Sequence, residues 1–418
     1  MPAPHPQSAQ PLDREPSARE PSAHVSAHSA LARSLSIEVR KFVEEMILPN
    51  EPRLAQDGDS SSRLQSELTE AARRAGLWGL FYPLSHGGKI ASLEDYLIVA
   101  EQEGRSEFSP AIFGSHSALD AHMLLEFGTE EICSRFLEPM AMGKAIPSYG
   151  MTEPEHGGSF PGLITTSARL SDGHWTIDGR KWFVGNTDRA TFITVLARTA
   201  GADIALGKAL SMIVVPTDAA GFKVERQIGM MGRSLGQGEI SFCGVQVPAH
   251  NLLGTCGGGI GLMARRLGIG RLLRSMNWVG LAQRCFDLMG VRVNSERGRS
   301  ARLPDKQLVR QHVAHAYQAI ASARELIRVA ARGVDARRPG DVEIGIAKMA
   351  ASQALCIASD SAVQLHGAEG ISDLTPLAGI YRIARTSRIL DGSDESLISS
   401  VGRRLIDFYK EEDAYHFD

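Results

Sequence analysis

The most informative stretch of the chain lies near its C-terminal end and runs Arg388-Ile389-Leu390-Asp391-Gly392-Ser393-Asp394-Glu395. Asp391 follows an apolar run and precedes a glycine, a pattern typical of a turn in which Gly392 supplies backbone freedom. A carboxylate beside a partly apolar wall has its basicity tuned by its surroundings, which suits the removal of a carbon-bound proton. The alternative is structural, because Asp is also a common cap, here for a helix from about Ser393 to Phe408. Spacing alone leaves both interpretations open.

The composition is that of an ordinary soluble protein with more than one domain. The 418 residues are enough for two or three hydrophobic cores, and apolar residues make up 43% and charged residues 22% of them. The formal net charge of −3 gives no reason to expect nucleic acid or an anionic membrane as a partner. No run of eighteen apolar residues occurs, so we expect no membrane span.

Cysteines and histidines give no sign of a metal site or a disulfide framework. The five cysteines are far apart and form no CxxC pair, which is typical of reduced thiols in a cytoplasmic protein. His312 and His315 lie three positions apart on a predicted helix, but no carboxylate pattern accompanies them, so we place them on a solvated face. The sequence therefore predicts a cytoplasmic protein without a bound metal.

Hydrophobic periodicity divides the chain into four parts. Residues 1–30 are rich in Ala, Pro, Ser and His and almost empty of large apolar side chains, which predicts a disordered tail. Residues 31–145 show helical spacing, and residues 146–252 show alternating, β-branched segments separated by Gly, Asp and Pro turns. Residues 253–418 return to helical spacing. The predicted class is a multidomain α+β protein.

The C-terminal stretch also resembles a known family. Tyr381-Arg382-Ile383-Ala384-Arg385, followed by Leu390-Asp391-Gly392-Ser393, resembles the signature of the acyl-CoA dehydrogenases, in the branch with an aspartate at the catalytic glutamate position. The resemblance implies an N-terminal helical domain, a central β-barrel or sandwich and a C-terminal four-helix bundle. It also implies FAD-dependent α,β-dehydrogenation of an acyl thioester, in which Asp391 takes the α-proton and flavin N5 accepts a hydride.

A segment at the start of the β region resembles the family's contact with the pyrimidine edge of the flavin. The segment is Tyr149-Gly150-Met151-Thr152-Glu153-Pro154, followed by Gly157-Gly158-Ser159. The resemblance implies cofactor contacts from Met151, Thr152 and Ser159. In the residues themselves we see a turn, with small groups that let the backbone approach a bulky ligand.

A second flavin motif follows in the run Gly179-Arg180-Lys181-Trp182-Phe183-Val184-Gly185-Asn186. By resemblance, Phe183 takes the position of an aromatic residue near the flavin, and Gly185 that of a hydroxyl residue that bonds N5. Phe183 preserves the aromatic contact, whereas Gly185 has only its backbone N–H to offer. The lost hydrogen bond is worth about 1 kcal/mol of ring positioning or redox tuning.

Substrate contacts are implied on both sides of the base. The run Arg266-Leu267-Gly268-Ile269-Gly270-Arg271 resembles the same aspartate-bearing branch, whose arginine faces the acyl-CoA site. We therefore predict Arg271 and Gly392 as substrate-binding residues. The alternative for Arg271 is an ordinary surface charge on a helix.

Two further motifs imply an oligomer. Gln364-Leu365-His366-Gly367-Ala368-Glu369-Gly370 resembles a motif that reaches the dinucleotide of a neighbouring subunit, although a glycine at position 367 also suits a helix C-cap. Glu296 stands where the family has an arginine for the flavin pyrophosphate, and Arg297 takes over with a slip of one residue. We predict a homodimer or homotetramer, with further cofactor contacts from Arg297, Gln364, Leu365, Gly367, Ser393 and Glu395.

Several functional alternatives remain open at this point. The acyl group is carried on CoA or on an acyl-carrier protein, and the electron acceptor is an electron-transferring flavoprotein or oxygen. The main rival is a flavin oxidase of the same fold, such as a nitroalkane oxidase, or a flavin monooxygenase. A third class is a non-catalytic relative that keeps flavin as a structural element.

Overall fold

The computed structural model describes residues 28–410, apart from residues 57, 157–159, 202 and 339. Most of the predicted tail, residues 1–30, lies outside the described residues. The first helix, α1, begins at Ala30 and follows Ser29, whose hydroxyl caps it by accepting a hydrogen bond from the backbone N–H of Ala32 at 3.2 Å.

The N-terminal part of the structure is helical, as predicted. Its helices bury apolar stripes at helical spacing, for example Leu64, Leu68 and Ala72 on α3. Together these stripes form one hydrophobic core. The helices are α1 (Ala30–Phe42), α2 (Glu51–Leu54), α3 (Asp59–Arg74), α4 (Leu93–Glu103), α5 (Ser109–Ile112), α6 (Ser115–Phe127), α7 (Glu130–Ile132) and α8 (Glu138–Ala141).

The central part is one eight-stranded sheet. Its strands are β1 (Pro147–Gly150), β2 (Ser167–Ser171), β3 (His174–Val184), β4 (Phe192–Arg198), β5 (Leu210–Pro216), β6 (Phe222–Met230), β7 (Arg233–Pro248) and β8 (Leu252–Leu253). The order is β6-β7-β3-β2-β4-β5-β8, and β1 pairs with β4 in parallel. β5 is buried along its whole length, and the inner faces of the strands share a separate apolar cluster. The prediction of an all-β central domain between helical ones is confirmed.

Long helices form the C-terminal part. α9 and α11 are the two longest helices of the structure, and α12 packs against both. The helices are α9 (Gly259–Asn294), α10 (Glu296–Ser300), α11 (Gln307–Asp335), α12 (Asp341–His366), α13 (Leu377–Ser387) and α14 (Asp394–Phe408).

Close contacts join the N-terminal helices to the C-terminal ones. At the crossing of α4 and α9, a Cβ atom at Gly104 would collide with the backbone of Asn277, and one at Gly280 with the carbonyl oxygen of Glu101. Nearby, the carboxylate of Asp335 accepts hydrogen bonds from the backbone N–H groups of Leu93 and Glu94 and from the hydroxyl of Ser92. The last residue of α11 therefore satisfies the open N-terminus of α4.

Two findings bear on the expectations of no membrane span and no bound metal. By length and composition, one stretch of the described chain, Asp341–Ile371, is long and apolar enough to cross a membrane, with a mean hydropathy of 1.2. In the structure 61% of that window is buried, as in the core helix of a folded domain. Among the described residues, no cluster of three or more His, Cys, Asp or Glu side chains is placed to hold a metal.

Candidate active site

The turn that carries Asp391 is closed by a backbone hydrogen bond between its ends and is held in its middle by Arg271. The N–H of Asp394 donates to the carbonyl oxygen of Arg388 at 2.9 Å, and Nε of Arg271 donates to the carbonyl oxygen of Asp391 at 2.7 Å. Asp391 and Gly392 both have positive φ, of 58° and 99°. A Cβ at Gly392 would lie 3.2 Å from Nη2 of Arg271, so glycine suits this position for both conformation and space.

Asp391 is not the helix cap that its spacing allowed. The N-cap of α14 is Ser393, whose hydroxyl accepts from the N–H of Ser396 at 3.2 Å. Asp391 lies two residues before the cap, in a left-handed conformation in which its side chain leaves the helix axis. The capping alternative is therefore wrong, and the carboxylate of Asp391 is available for other contacts.

The carboxylate of Asp391 faces Arg274, a residue that the sequence analysis missed. Nε of Arg274 lies 2.8 Å from Oδ2 of Asp391, but it approaches outside hydrogen-bond geometry, so the contact is one of charge. Oδ2 is buried and has no hydrogen-bond partner among the described residues. The signal for Arg274 was its position three residues after Arg271, on the same face of α9.

The wall of the site next to Arg274 is cationic. His116 lies at this wall with its side chain open to solvent. Although part of the His116 side chain is exposed, the many protein atoms around it and, after them, the guanidinium groups of Arg274 and Arg189 lower the pKa of His116. Asp391 is thus a carboxylate beside positive charge.

Behind the turn lies a second carboxylate, that of Asp394. Nζ of Lys348 donates to its Oδ1 at 2.7 Å, and the hydroxyl of Ser352 lies within 3.0 Å of both of its oxygens. Lys348 and Ser352 are one turn apart on α12. The first residue of α14 is therefore held to α12 by a buried ion pair.

The predicted pyrimidine-edge segment is held by β3. The hydroxyl of Thr152 donates to the carbonyl oxygen of Trp182 at 2.7 Å, and the N–H of Trp182 donates back to the carbonyl oxygen of Thr152 at 3.0 Å. Nζ of Lys181 reaches the carbonyl oxygen of Met151 and a carboxylate oxygen of Glu153, each at 2.9 Å. The two flavin motifs of the sequence therefore lie side by side.

Phe183 and Gly185 stand at the end of this pair of segments. Phe183 has a positive φ of 49° and leaves 46% of its surface open, beside the ring of Trp182. The carbonyl oxygen of Gly185 accepts from the hydroxyl of Ser148. A Cβ at Gly185 would meet Gln237 only at ordinary contact distance, so the missing side chain is not forced by crowding.

Helix α9 lies between the strand that precedes the predicted flavin segment and the turn of Asp391. The guanidinium of Arg266 lies 4.0 Å from the ring centre of Tyr149, which precedes Met151 on β1, and is paired with Asp120 on α6. Arg271, one and a half turns later on α9, holds the turn of Asp391, about 7.5 Å further along the axis. The same helix thus contacts Tyr149, two residues before Met151, and the turn of Asp391.

Arg297 and the Gln364–Gly370 motif form a second cluster. Arg297 pairs with Glu369, which also lies 3.5 Å from Arg292. Gln364 and Gly367 are exposed, Leu365 is half-buried, and Gly367 follows the end of α12 with a φ of 65°. In the described part of the chain, no hydrogen bond or ion pair joins this cluster to Thr152, Phe183 or Asp391.

The remaining predicted contacts divide as follows. Glu395, the second residue of α14, is exposed and pairs with Arg388 at 2.9 Å. Ser393 serves as the cap described above. Ser159 lies outside the described residues.

The site has the donors, acceptors and surfaces that FAD needs. Phe183 offers an open aromatic face beside the segment of Thr152. Nε2 of His156 and the hydroxyl of Tyr149 are buried without a hydrogen-bond partner among the described residues, on either side of that segment. Orphaned polar atoms in such a place indicate a missing polar ligand. The residues present therefore fit a flavin.

The fold and site define a three-domain flavoprotein whose candidate base is a carboxylate on a C-terminal turn. Comparison with known families agrees: the acyl-CoA dehydrogenase N-terminal domain matches residues 30–144, the middle domain residues 148–245 and the C-terminal domain residues 257–406. The chain belongs to the acyl-CoA dehydrogenase family, whose members are flavin-dependent oxidoreductases with FAD as cofactor.

Named relatives include animal and bacterial proteins. Acyl-CoA dehydrogenase family member 11 of Rattus norvegicus is 31% identical over 397 residues, which cover 90% of this chain and 50% of that protein. Probable acyl-CoA dehydrogenase FadE2 of Mycobacterium tuberculosis is 34% identical over 346 residues, 81% of this chain and 84% of that protein. The chain thus spans about half the length of the animal relatives that it matches.

Solved structures show the same fold. A glutaryl-coenzyme A dehydrogenase in complex with glutaryl-CoA superposes with a TM-score of 0.80 at 25% identity and covers 93% of this chain and 98% of its own. Butyryl-CoA dehydrogenase of Megasphaera elsdenii also gives a TM-score of 0.80, at 23% identity, with 90% of this chain and 98% of its own covered.

Proposed function

We propose that this chain catalyses the FAD-dependent α,β-dehydrogenation of an acyl thioester, with Asp391 as the base. The observation that carries the proposal is the carboxylate itself: its Oδ2 is buried, lacks a hydrogen bond and stands on a turn anchored at both ends. A carboxylate that serves only structure satisfies its oxygens with N–H or O–H donors. Oδ2 of Asp391 instead has only the charge contact with Arg274, which leaves its hydrogen-bonding capacity unused.

The environment of Asp391 suits the removal of an α-proton. Arg274 stands 2.8 Å from Oδ2 and places a positive charge beside the carboxylate. Because Arg274 is itself partly exposed, we expect it to move aside when substrate enters, and the proton to be taken up by the freed oxygen. FAD, when bound, supplies the acceptor for the hydride that leaves the β-carbon.

The turn also offers a donor for the thioester oxygen. An α-proton becomes acidic enough only if the carbonyl is polarised, which needs hydrogen bonds to its oxygen. In the described part of the chain, the N–H groups of Asp391 and Gly392 have no acceptor, whereas those of Leu390 and Asp394 are used within the turn. We assign the N–H of Asp391 to the thioester carbonyl, a role that the family resemblance also implies.

The other cofactor contacts and the partners belong to the same proposal. Thr152, Met151, Phe183 and the N–H of Gly185 face the flavin ring. Arg297 and Gln364 reach the dinucleotide of a neighbouring subunit in a homodimer or homotetramer. The substrate is carried on CoA or an acyl-carrier protein, the electron acceptor is an electron-transferring flavoprotein or oxygen, and the protein works in the cytoplasm.

The test is anaerobic reduction of the bound flavin by a panel of acyl-CoA thioesters in a stopped-flow instrument. Bleaching by at least one thioester is expected, and Asp391→Asn should slow it by roughly 10²- to 10⁴-fold, the range for loss of a general base. FAD content and melting temperature should change little, because Asn preserves the shape of Asp. Asp407→Asn, an exposed carboxylate at the far end of α14, is the matched control.

Three outcomes count against the proposal. Near-wild-type reduction by the Asp391→Asn variant ends the role of this residue as base. Bleaching by nitroalkanes but by no acyl thioester moves the chain to the oxidase alternative. Protein that stays colourless with excess FAD contradicts the flavin assignment.

A further inference from the structure

The buried pair Lys348–Asp394 lies directly under the turn that carries the base. We propose that this pair is a positioning device, which holds Asp391 at the place that its short side chain requires. The inference rests on the proposed function of Asp391 and names residues that touch neither substrate nor cofactor. Asp394 and Lys348 act through the backbone of the turn.

The contacts of the pair are those of a fixed anchor. The side chain of Lys348 is 0% and that of Asp394 3% exposed, and their charged atoms lie 2.7 Å apart. Ser352 supplies a hydroxyl within 3.0 Å of both carboxylate oxygens, and Arg388 stands 3.6 Å away on the open side. The cation of Lys348 also lies 5.7 Å from the ring centre of Trp278 on α9. The carboxylate of Asp394 is therefore contacted by two side chains of α12 and by Arg388, and α9 packs against its partner Lys348.

Stability does not explain such a pair. Removing two charges from water costs more than their attraction commonly returns, so apolar residues of similar volume are often as stable or more so. A buried ion pair does fix geometry, because any displacement leaves a charge unpaired in the interior. We therefore look for the segment whose position it fixes.

That segment is the turn of residues 388–394. Asp394 lies three residues after Asp391, and its N–H closes the turn onto the carbonyl oxygen of Arg388. The other anchor is Arg271, on the carbonyl oxygen of Asp391. Between the anchors, Asp391 and Gly392 adopt positive φ and their N–H groups have no acceptor in the described part of the chain. Without Asp394, the turn would be held from one side only.

A short base makes this position critical. An aspartate reaches about 1.5 Å less far than a glutamate, one C–C bond. A misplacement of about 1 Å costs on the order of 10²-fold in rate when a reacting group must be aligned. The proposal follows: the pair keeps the base within reach of the α-carbon.

The test removes both charges together. In the double variant Lys348→Met/Asp394→Leu, flavin reduction by the best acyl-CoA should slow roughly 10- to 100-fold, while the substrate dissociation constant changes by less than about threefold. Hydrogen exchange of the N–H groups of residues 388–394 should become faster. Lys348→Gln/Asp394→Asn keeps a neutral hydrogen-bonded pair and should restore most of the rate.

The matched control is another buried ion pair on α9. Arg284 and Glu51 form a bidentate pair at 2.7 Å, 13 residues along the helix from Arg271, which is about 20 Å. Arg284→Met/Glu51→Leu should leave the reduction rate and the exchange of residues 388–394 unchanged. A role in overall stability alone predicts equal effects of the two apolar double variants.

Two results overturn the inference. One is a reduction rate of the Lys348→Met/Asp394→Leu variant within about threefold of wild type, whatever its exchange. The other is unchanged exchange in residues 388–394. If no thioester reduces the wild-type flavin, the proposed function fails separately, and the exchange measurement alone decides whether the pair fixes the turn.

Discussion

Lys181 in the central sheet and Lys348 in the C-terminal helices are both fully buried and each is paired with one carboxylate, but the two pairs hold different things. The carboxylate of Glu153 receives three hydrogen bonds besides that of Lys181, from the N–H and hydroxyl of Thr165 and the N–H of Thr166. Asp394 has the hydroxyl of Ser352 and the more distant Arg388.

The different partners of Glu153 and Asp394 indicate that the two ion pairs hold different kinds of structure in place. Around the Lys181–Glu153 pair, the backbone N–H groups of Thr165 and Thr166 and the carbonyl oxygen of Met151 are gathered, so the pair holds the segment that is predicted to face the flavin. Around Asp394, side chains of neighbouring helices meet, so the pair sets the position of a turn relative to α12. On the function proposed above, we expect the first pair to matter for cofactor binding and the second for the position of Asp391.

The largest effect on stability is expected when the Lys348–Asp394 pair is broken, because Asp394 has fewer other hydrogen-bond donors than Glu153. Lys348→Met leaves Asp394 buried with a hydroxyl as its main partner, and the free energy of unfolding should fall by about 3–5 kcal/mol. Bound FAD per chain should stay near that of the wild type. Urea unfolding measures the free energy, and the flavin absorbance of the same preparation measures the bound FAD. If the variant loses FAD as well as stability, the two pairs do not differ in the way proposed.

Breaking the other pair should give the converse pattern. In Lys181→Met, Glu153 keeps its three donors from Thr165 and Thr166, so we expect a smaller loss of stability, about 1–3 kcal/mol. The carbonyl oxygen of Met151 loses its partner, and FAD retention should fall markedly. Equilibrium dialysis of the purified variant against FAD measures this, and full FAD occupancy would show that the pair does not shape the cofactor segment.

The order of the motifs in the sequence predicted the order of the domains. It did not predict which distant residues pair in the folded chain. Glu153, Lys181 and Asp394 all stand inside quoted motifs, yet their burial as ion pairs was not predicted, because partners 28 and 46 residues apart meet only in the folded chain. Lys348 lies in no motif at all. Helical spacing predicted α12 but not which of its polar residues turn inward.

The candidate site shows the same limit. The resemblance put Arg271 and Asp391 in one site, and they are in contact in the structure, whereas Arg274 emerged only from the geometry. The capping alternative for Asp391 failed because Gly392 and the left-handed turn move the cap to Ser393. Which of two polar residues near a helix start caps the helix depends on backbone angles that spacing does not reveal.

Acid should test the first pair selectively. Burial opposes ionisation of Glu153, but Lys181 and the donors of Thr165 and Thr166 outweigh it and lower its pKa from 4.5 to about 2. A lowered carboxyl pKa stabilises the folded state above the unfolded pKa, so this contribution is complete above about pH 4.5 and is lost as the pH falls towards 2. The full loss should be on the order of 3 kcal/mol, of which about 2 kcal/mol falls between pH 5 and pH 3.

The comparison is made by urea unfolding between pH 5 and pH 3 for the wild type and for Glu153→Gln. The variant should be less stable at pH 5 and should lose less stability on acidification, because its neutral amide has no proton to gain. If the free energy of unfolding falls equally with pH in both proteins, ionisation of Glu153 does not stabilise the folded state.

The smallest effect is expected at Ser393, on the exposed side of the turn that Asp394 anchors from within. Ser393→Ala removes the acceptor for the N–H of Ser396 and should lower the free energy of unfolding by about 1 kcal/mol. Ser396→Ala is the control, because it removes the neighbouring hydroxyl and leaves the cap in place. The family resemblance adds a contact of Ser393 with FAD, and a ligand that binds only the folded state adds its own stabilisation. The loss should therefore be larger in FAD-loaded than in FAD-free protein, and an equal loss in both would leave Ser393 with the cap alone.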